Sequence, residues 1–194
     1  VPPALLSAAE AQVSASDDAV IVYTSGSTSL PKAVVHTQWN VTRHPPELAR
    51  LFLIQPDDRM LPMLPAFWLG GMVMALEVLS VGATLVYPGS PEIGVVLAAI
   101  ERFQVNRING WGDMLPKLRH AAIARGIDVD AIVGLGLFRD QSGEIIPPHL
   151  QANLLGMSET FAVHSAEPLD TRLPYSKAGS SGRTVNGYER RIVN

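Results

Sequence analysis

Asp18-Ala19-Val20-Ile21-Val22-Tyr23-Thr24-Ser25-Gly26-Ser27-Thr28-Ser29-Leu30-Pro31-Lys32-Ala33-Val34-Val35 is the stretch on which the reading of the fold turns. Its first part, Ala19 to Tyr23, is a short apolar run closed off by acidic and hydroxyl residues, and it reads as a buried strand. The run stops at Thr24, and the apolar pattern resumes at Ala33, so the local order is strand, loop, then a second strand or a helix start. The loop sets the four hydroxyls of Thr24, Ser25, Ser27 and Thr28 around Gly26, and Pro31 holds Lys32 a short distance on. Hydroxyl and backbone N–H donors, a glycine that admits close approach and a compact ammonium are the parts from which a polyphosphate cradle is made. Pro31-Lys32-Ala33 stands where a Walker A loop needs Gly-Lys-Ser/Thr, which disfavours ordinary kinase or GTPase chemistry. Composition alone also allows a flexible Ser/Thr linker; the apolar runs on both sides argue against one.

Outward from this loop the pattern alternates strand and helix. The first sixteen residues, rich in Ala and Ser, read as a linker or a fraying helix. Pro45-Pro46 followed by Glu47 to Ile54 predicts a short amphipathic helix, and Met60 to Leu64 a buried strand. Gly70 to Leu79 reads as a core helix, Ala83 to Tyr87 as a strand after a turn at Gly82, and Ile93 to Phe103 as a further helix. Trp111 to Arg125 reads as helix, with Leu115, Leu118, Ala122 and Ile123 on one stripe and Gly126 as its stop. The expected class is therefore α/β: mixed, largely parallel sheets flanked by helices. Both ends of the chain read as cut ends.

Composition narrows the function classes. The 194 residues are 47% hydrophobic and 17% charged, enough apolar content for one packed core, and the formal net charge of −3 comes without a basic stripe, so nucleic acid is not an expected partner. Cysteine is absent, which removes disulfide scaffolds, thiolate zinc sites and cysteine nucleophiles and agrees with a cytoplasmic setting. Between Met60 and Pro88 Glu77 is the only charge, but the stretch is broken by prolines and glycines, so no transmembrane segment is expected. The five histidines, His36, His44, His120, His149 and His164, lack metal-ligand spacing and read as surface or core residues.

Tyr23 to Ala33 resembles the signature loop of the acyl-adenylate-forming superfamily, which holds acyl-CoA synthetases, peptide-synthetase adenylation domains and luciferases. Ser29 and Ala33 stand where that family usually has glycines. Three further stretches fall in the family's order. Pro65-Ala66-Phe67-Trp68-Leu69-Gly70-Gly71 is similar to the strand-to-helix turn beside the acyl pocket. Leu155-Gly156-Met157-Ser158-Glu159-Thr160 is similar to the aromatic-Gly-x-Thr-Glu motif, and Gly179 to Gly187 to the segment after it. Together they run from Asp18 to Asn194, as the central part of an AMP-binding domain (17–194) without its lysine-bearing C-terminal domain.

By that resemblance Thr24, Ser25, Gly26, Ser27, Thr28 and Lys32 grip the phosphates, Ser158 contacts the α-phosphate and Glu159 holds Mg2+, with Lys32, Ser158 and Glu159 catalytic. Gly156 and Met157 flank the nucleotide. Gly136, Leu137 and Phe138 stand where a small-residue loop packs on adenine, although an ordinary strand end serves equally well. Phe67, Trp68, Gly70, Gly71 and Leu155 would line the substrate pocket. Relatives that activate amino acids usually place an aspartate after the phenylalanine; Trp68 cannot pair with an ammonium, and with Gly70 and Gly71 leaving room beside it the expected substrate is an apolar carboxylic acid. Alternatively, Trp68 is a large core residue. The implied activity is an ATP-dependent acid–thiol ligase with coenzyme A as acceptor, the isolated segment being inactive. The rival readings are a noncatalytic nucleotide or acyl-ligand binding module and a self-associating structural domain.

Overall fold

The computed structural model describes residues 1–25, 30–110 and 112–193. In chain order its elements are α1 (Pro3–Glu10), β1 (Asp18–Ser25), β2 (Pro31–Thr37), α2 (Gln38–Leu51), β3 (Arg59–Pro62), α3 (Leu69–Ser80), β4 (Thr84–Leu85), α4 (Ile93–Phe103), β5 (Arg107–Asn109), α5 (Met114–Ala124), β6 (Leu155–Met157), β7 (Ala162–Ala166) and β8 (Arg183–Thr184). The mixed α/β class is the one the sequence predicts. Parallel pairing is confined to the three-stranded sheet β4-β3-β5, while the β1-β2 pair and the sheet β6-β7-β8 are antiparallel.

The parallel sheet is the frame of the molecule. Side chains alternate across β3, so Met60 joins Leu48, Val73, Met74 and Val78 from α2 and α3, while Leu61 joins Val96, Leu97, Ile100, Leu118 and Ala122 from α4 and α5. Both faces of the sheet are thereby covered, as parallel sheets require. The crossover from β3 to β4 and that from β4 to β5 run in opposite directions, and right-handed connections then put α3 and α4 on opposite faces. The reversal lies between β3 and β5, and the crevice outside their carboxyl ends is the usual ligand position of such a sheet. There the Met63 N–H donates to the Asn109 carbonyl at 2.7 Å.

Three expectations change. The segment Ala19 to Tyr23 is a strand but not a buried one: Ile21 and Tyr23 are 55% and 71% exposed, because in a two-stranded ribbon only the face bearing Val20, Val22, Val34 and His36 turns inward. Helix α2 begins at Gln38 and carries Pro45 and Pro46 inside it. Pro45 is buried with His44, Leu48 and Ala49, so packing against α3 overrides the local preference that would start the helix after the prolines. Helix α5 keeps Leu118 and Ala122 inside but leaves Ile123 half-exposed. Helix α1 buries no residue, and β4 is shorter than the Ala83 to Tyr87 run.

Three charged side chains, Asp58, Glu77 and Arg107, are buried in this frame. Arg107 donates through Nε to Asp58 at 2.8 Å and through its other nitrogens to the carbonyls of Phe52 and Leu53 at 2.9 and 2.8 Å, clamping the turn after α2 to β5. Asp58 also accepts from the Gln55 N–H and the Asn106 amide, so its oxygens are satisfied. Glu77 is different. It sits on the buried face of α3, its Oε2 finds no partner, and burial pushes its carboxyl well above the usual carboxylate range.

Candidate nucleotide site

The β1-β2 hairpin and the Ser158–Thr160 turn come together. Thr24 lies opposite Lys32 in the ribbon, and Ser25 opposite Pro31, so the strands on either side of the hydroxyl-rich stretch pair as a hairpin. Gly26, Ser27 and Thr28 lie outside the described residues, as does Ser29. Lys32 Nζ stands 3.7 Å from Glu159 Oε1, both side chains well exposed. Such an ion pair contributes at most about 1 kcal/mol to stability. Among the described residues, it therefore leaves an exposed ammonium and carboxylate at the end of the ribbon, held only weakly by each other.

The turn bearing Ser158 and Glu159 is held by its backbone carbonyls. His36 Nε2 lies 2.7 Å from the Ser158 carbonyl, the Tyr188 hydroxyl donates to the Thr160 carbonyl, and His44 Nε2 lies 2.8 Å from the Val163 carbonyl. Because a carbonyl only accepts, each imidazole carries its proton on Nε2. Burial pushes Tyr188 up to about 12 and pushes His44 down, and the rings of the two meet edge-on with centroids 4.7 Å apart. Thr160 closes the turn on itself, its hydroxyl donating to the Ala162 carbonyl at 2.9 Å. Gly156 is required here, since any Cβ would collide with the Ala162 carbonyl across the β6-β7 pair. The sequence gives little notice of His36, His44 and Tyr188. Only the even offset of His36 from Lys32, which puts both on one face of a strand, signals its place.

Met157 adjoins this turn, its N–H donating to the Thr160 hydroxyl. Phe67 and Trp68 follow β3 at the switch point, 84% and 55% exposed, their rings edge to face; Trp68 is thus not a core residue. No room lies at Gly71, where a Cβ would strike the Pro65 carbonyl, whereas one on the exposed Gly70 would only make ordinary contact with Leu64. Gly71 serves to let α3 start close against the preceding turn. Leu155 and Met157 are half-exposed on β6. A cavity of about 240 Å3 lies along β5, between Met60, Met74, Asn109, Leu115, Phe138 and Leu154 among others. A second, of about 240 Å3, is lined by Gly136, Leu137 and Phe138 with Asp130, Arg139 and Asp170. Among the described residues neither wall includes Thr24, Lys32, Ser158 or Glu159.

A model of the AMP-binding enzyme family matches residues 3–194. The chain belongs to that family. This AMP-binding enzyme chain is 29% identical over 187 residues to the sulfoacetate–CoA ligase of Cupriavidus necator, an alignment covering 90% of the chain and 35% of that protein. It is 26% identical over 210 residues to a probable CoA ligase of Humulus lupulus, covering 94% of the chain and 34% of the relative. The O-succinylbenzoate coenzyme A synthetase of Bacillus subtilis, solved with AMP, superposes with a TM-score of 0.63 at 23% identity, over 90% of this chain and 36% of that one, and so shares the fold. The AMP-binding enzyme chain thus spans about a third of the length of the curated relatives it matches.

Magnesium fits the donor set in one way only. Among the described residues no cluster of three or more His, Cys, Asp or Glu could hold a metal by itself. Glu159, an exposed lone carboxylate, suits an ion that brings its remaining ligands as phosphate oxygens and water. No helix among the described residues is long and apolar enough to cross a membrane.

Proposed function

We propose that this chain supplies the nucleotide-gripping part of an ATP-dependent acid–thiol ligase, which adenylates a carboxylic acid and passes the acyl group to coenzyme A. The observation that carries the reading is the meeting of Lys32 and Glu159 at 3.7 Å beside the hydroxyl-rich connection, in a family whose members include CoA ligases. A carboxylate oxygen of the acid attacks the α-phosphorus of ATP, the bond from that phosphorus to the bridging oxygen breaks, and pyrophosphate leaves with the electron pair. The coenzyme A thiolate then attacks the acyl carbon, and AMP departs with the anhydride oxygen.

Lys32, with Thr24, Ser25 and the N–H groups of the loop, counters the charge that builds on the departing phosphates. Ser158 would donate to the α-phosphate, and Glu159 would hold magnesium, which would supply charge neutralisation to the phosphates. Phe67 and Trp68, exposed beside the switch point, offer an apolar surface with no carboxylate to pair an ammonium, which favours an aliphatic or aryl acid over an amino acid.

The test is ATP–pyrophosphate exchange, run on this chain and on any longer polypeptide that contains it, with a panel of aliphatic and aryl acids and with amino acids as controls. Exchange with apolar acids, reduced about a hundredfold or more by Lys32→Ala or Glu159→Ala, is the expected result. Absence of exchange across the panel in the longer polypeptide overturns the ligase, and AMP binding there without exchange fits the noncatalytic binding module instead.

A further inference from the structure

We infer that His36 is a positioning residue of this site: its ring N–H fixes the Ser158 carbonyl and so sets where Ser158 and Glu159 stand relative to Lys32. The inference rests on the reading of those three residues as nucleotide contacts. His36 is 2% exposed and lies 2.7 Å from the Ser158 oxygen. Residues an even number apart on a strand share a face, so Lys32 and His36 project from β2 toward the same turn, separated by about 13 Å of strand. The attachment therefore has two points on one rigid element. Lys32 meets the Glu159 side chain at the exposed end, and His36 holds the backbone of the neighbouring residue at the buried end.

The turn needs such a hold. Phe161 and Ala162, directly after it, adopt φ of 51° and 89°, a left-handed backbone that residues with a Cβ keep only when their surroundings enforce it. The Phe161 ring is fully buried and packs against the His36 ring with centroids 4.8 Å apart, so one imidazole supports both the Ser158 carbonyl and the first left-handed residue. Tyr188 and His44 hold the next carbonyls, but they come from the C-terminal segment and α2. Of the three, His36 alone belongs to the strand that carries Lys32, and only it ties the ammonium and the carboxylate to one frame.

Three variants separate the hydrogen bond from the packing. His36→Gln keeps an N–H near the Nε2 position, His36→Phe keeps the ring but has no donor, and His36→Asn has a donor too short to reach. AMP binding to this chain, with magnesium, is measured by calorimetry, alongside thermal unfolding. His36→Phe and His36→Asn should each weaken AMP about fivefold or more, with His36→Gln within about twofold of the parent. Measured with ATP, whose outer phosphates Lys32 meets, the effect of His36→Phe should shrink when Lys32 is already alanine, a coupling that a merely structural role does not produce. Equal affinity in parent and folded His36→Phe, or equal losses in the Gln and Phe variants, overturns the inference. Should His36→Phe fail to fold, the Gln and Asn pair decides, equal affinities again overturning it. A parent chain that binds no AMP at all overturns the reading of the site itself, and the role of His36 with it.

Discussion

Glu77 faces the cluster of Val73, Met74 and Val78 with an oxygen that nothing meets. Its folded-state carboxyl holds the proton to higher pH than the unfolded value of 4.5, so its contribution to stability is complete below that value and is lost as pH rises through the folded one. Glu77→Gln should therefore stabilise the protein at neutral pH by about 1–3 kcal/mol and lose the advantage as pH falls toward 4.5, read from urea midpoints across pH. Asp58 is the opposite case, a buried carboxylate with every oxygen engaged. Asp58→Ala leaves the Arg107 guanidinium buried without its counter-charge and should cost about 3–5 kcal/mol, measured by the same unfolding curves. Neither role is visible in the sequence. Glu77 is recognisable there as the lone charge of an apolar stretch, but whether a partner exists for it depends on which side chains α2 brings opposite, and that is a matter of packing.

Pro46 shows what an element gains and loses against its own sequence. It is exposed in the interior of α2, where it supplies no N–H to the preceding turn. Pro46→Ala restores that donor without emptying the core and should stabilise by about 1–3 kcal/mol, seen as a rise in melting temperature. The β1-β2 ribbon is the reverse, an element paired from Val20 to Ser25 after an irregularity between Asp18 and Val20, but with one face bare. Isolated two-stranded ribbons are marginal in water. Amides of β1 and β2 should then exchange with deuterium through local opening, while those of β3 and β5 remain protected much longer. The helical period of Ile93 to Phe103 was legible because Val96, Leu97, Ala99 and Ile100 lie on the side that is buried, whereas α3 is apolar nearly all round and buries its one charge, Glu77. The ribbon misled because Ile21 and Tyr23 carry the composition of a buried strand on a surface that stays exposed.

Across the molecule, the histidine and the carboxyl with displaced titrations act against each other. His44, pushed down by burial beside Arg43, favours the unfolded chain once pH falls through 6.5, whereas Glu77 favours it as pH rises from 4.5. On acidification from 6.5 toward 4.5, Glu77→Gln should lose stability through His44 while His44→Gln should gain it through Glu77, with the parent between them, measured by thermal unfolding at stepped pH. The order of motifs along the chain made the class readable, and the family resemblance implied one site for Lys32 and Glu159, which stand 3.7 Å apart. The carbonyl contacts of His36, His44 and Tyr188 were not, because a backbone acceptor leaves no mark in sequence. Strand β3 has a last consequence: Met60 belongs to one apolar cluster and Leu61 to the other, so neither can melt without stripping the strand from its neighbour. Heating should then give a single cooperative transition in which calorimetric and van't Hoff enthalpies agree, with no half-melted species between native and denatured chain.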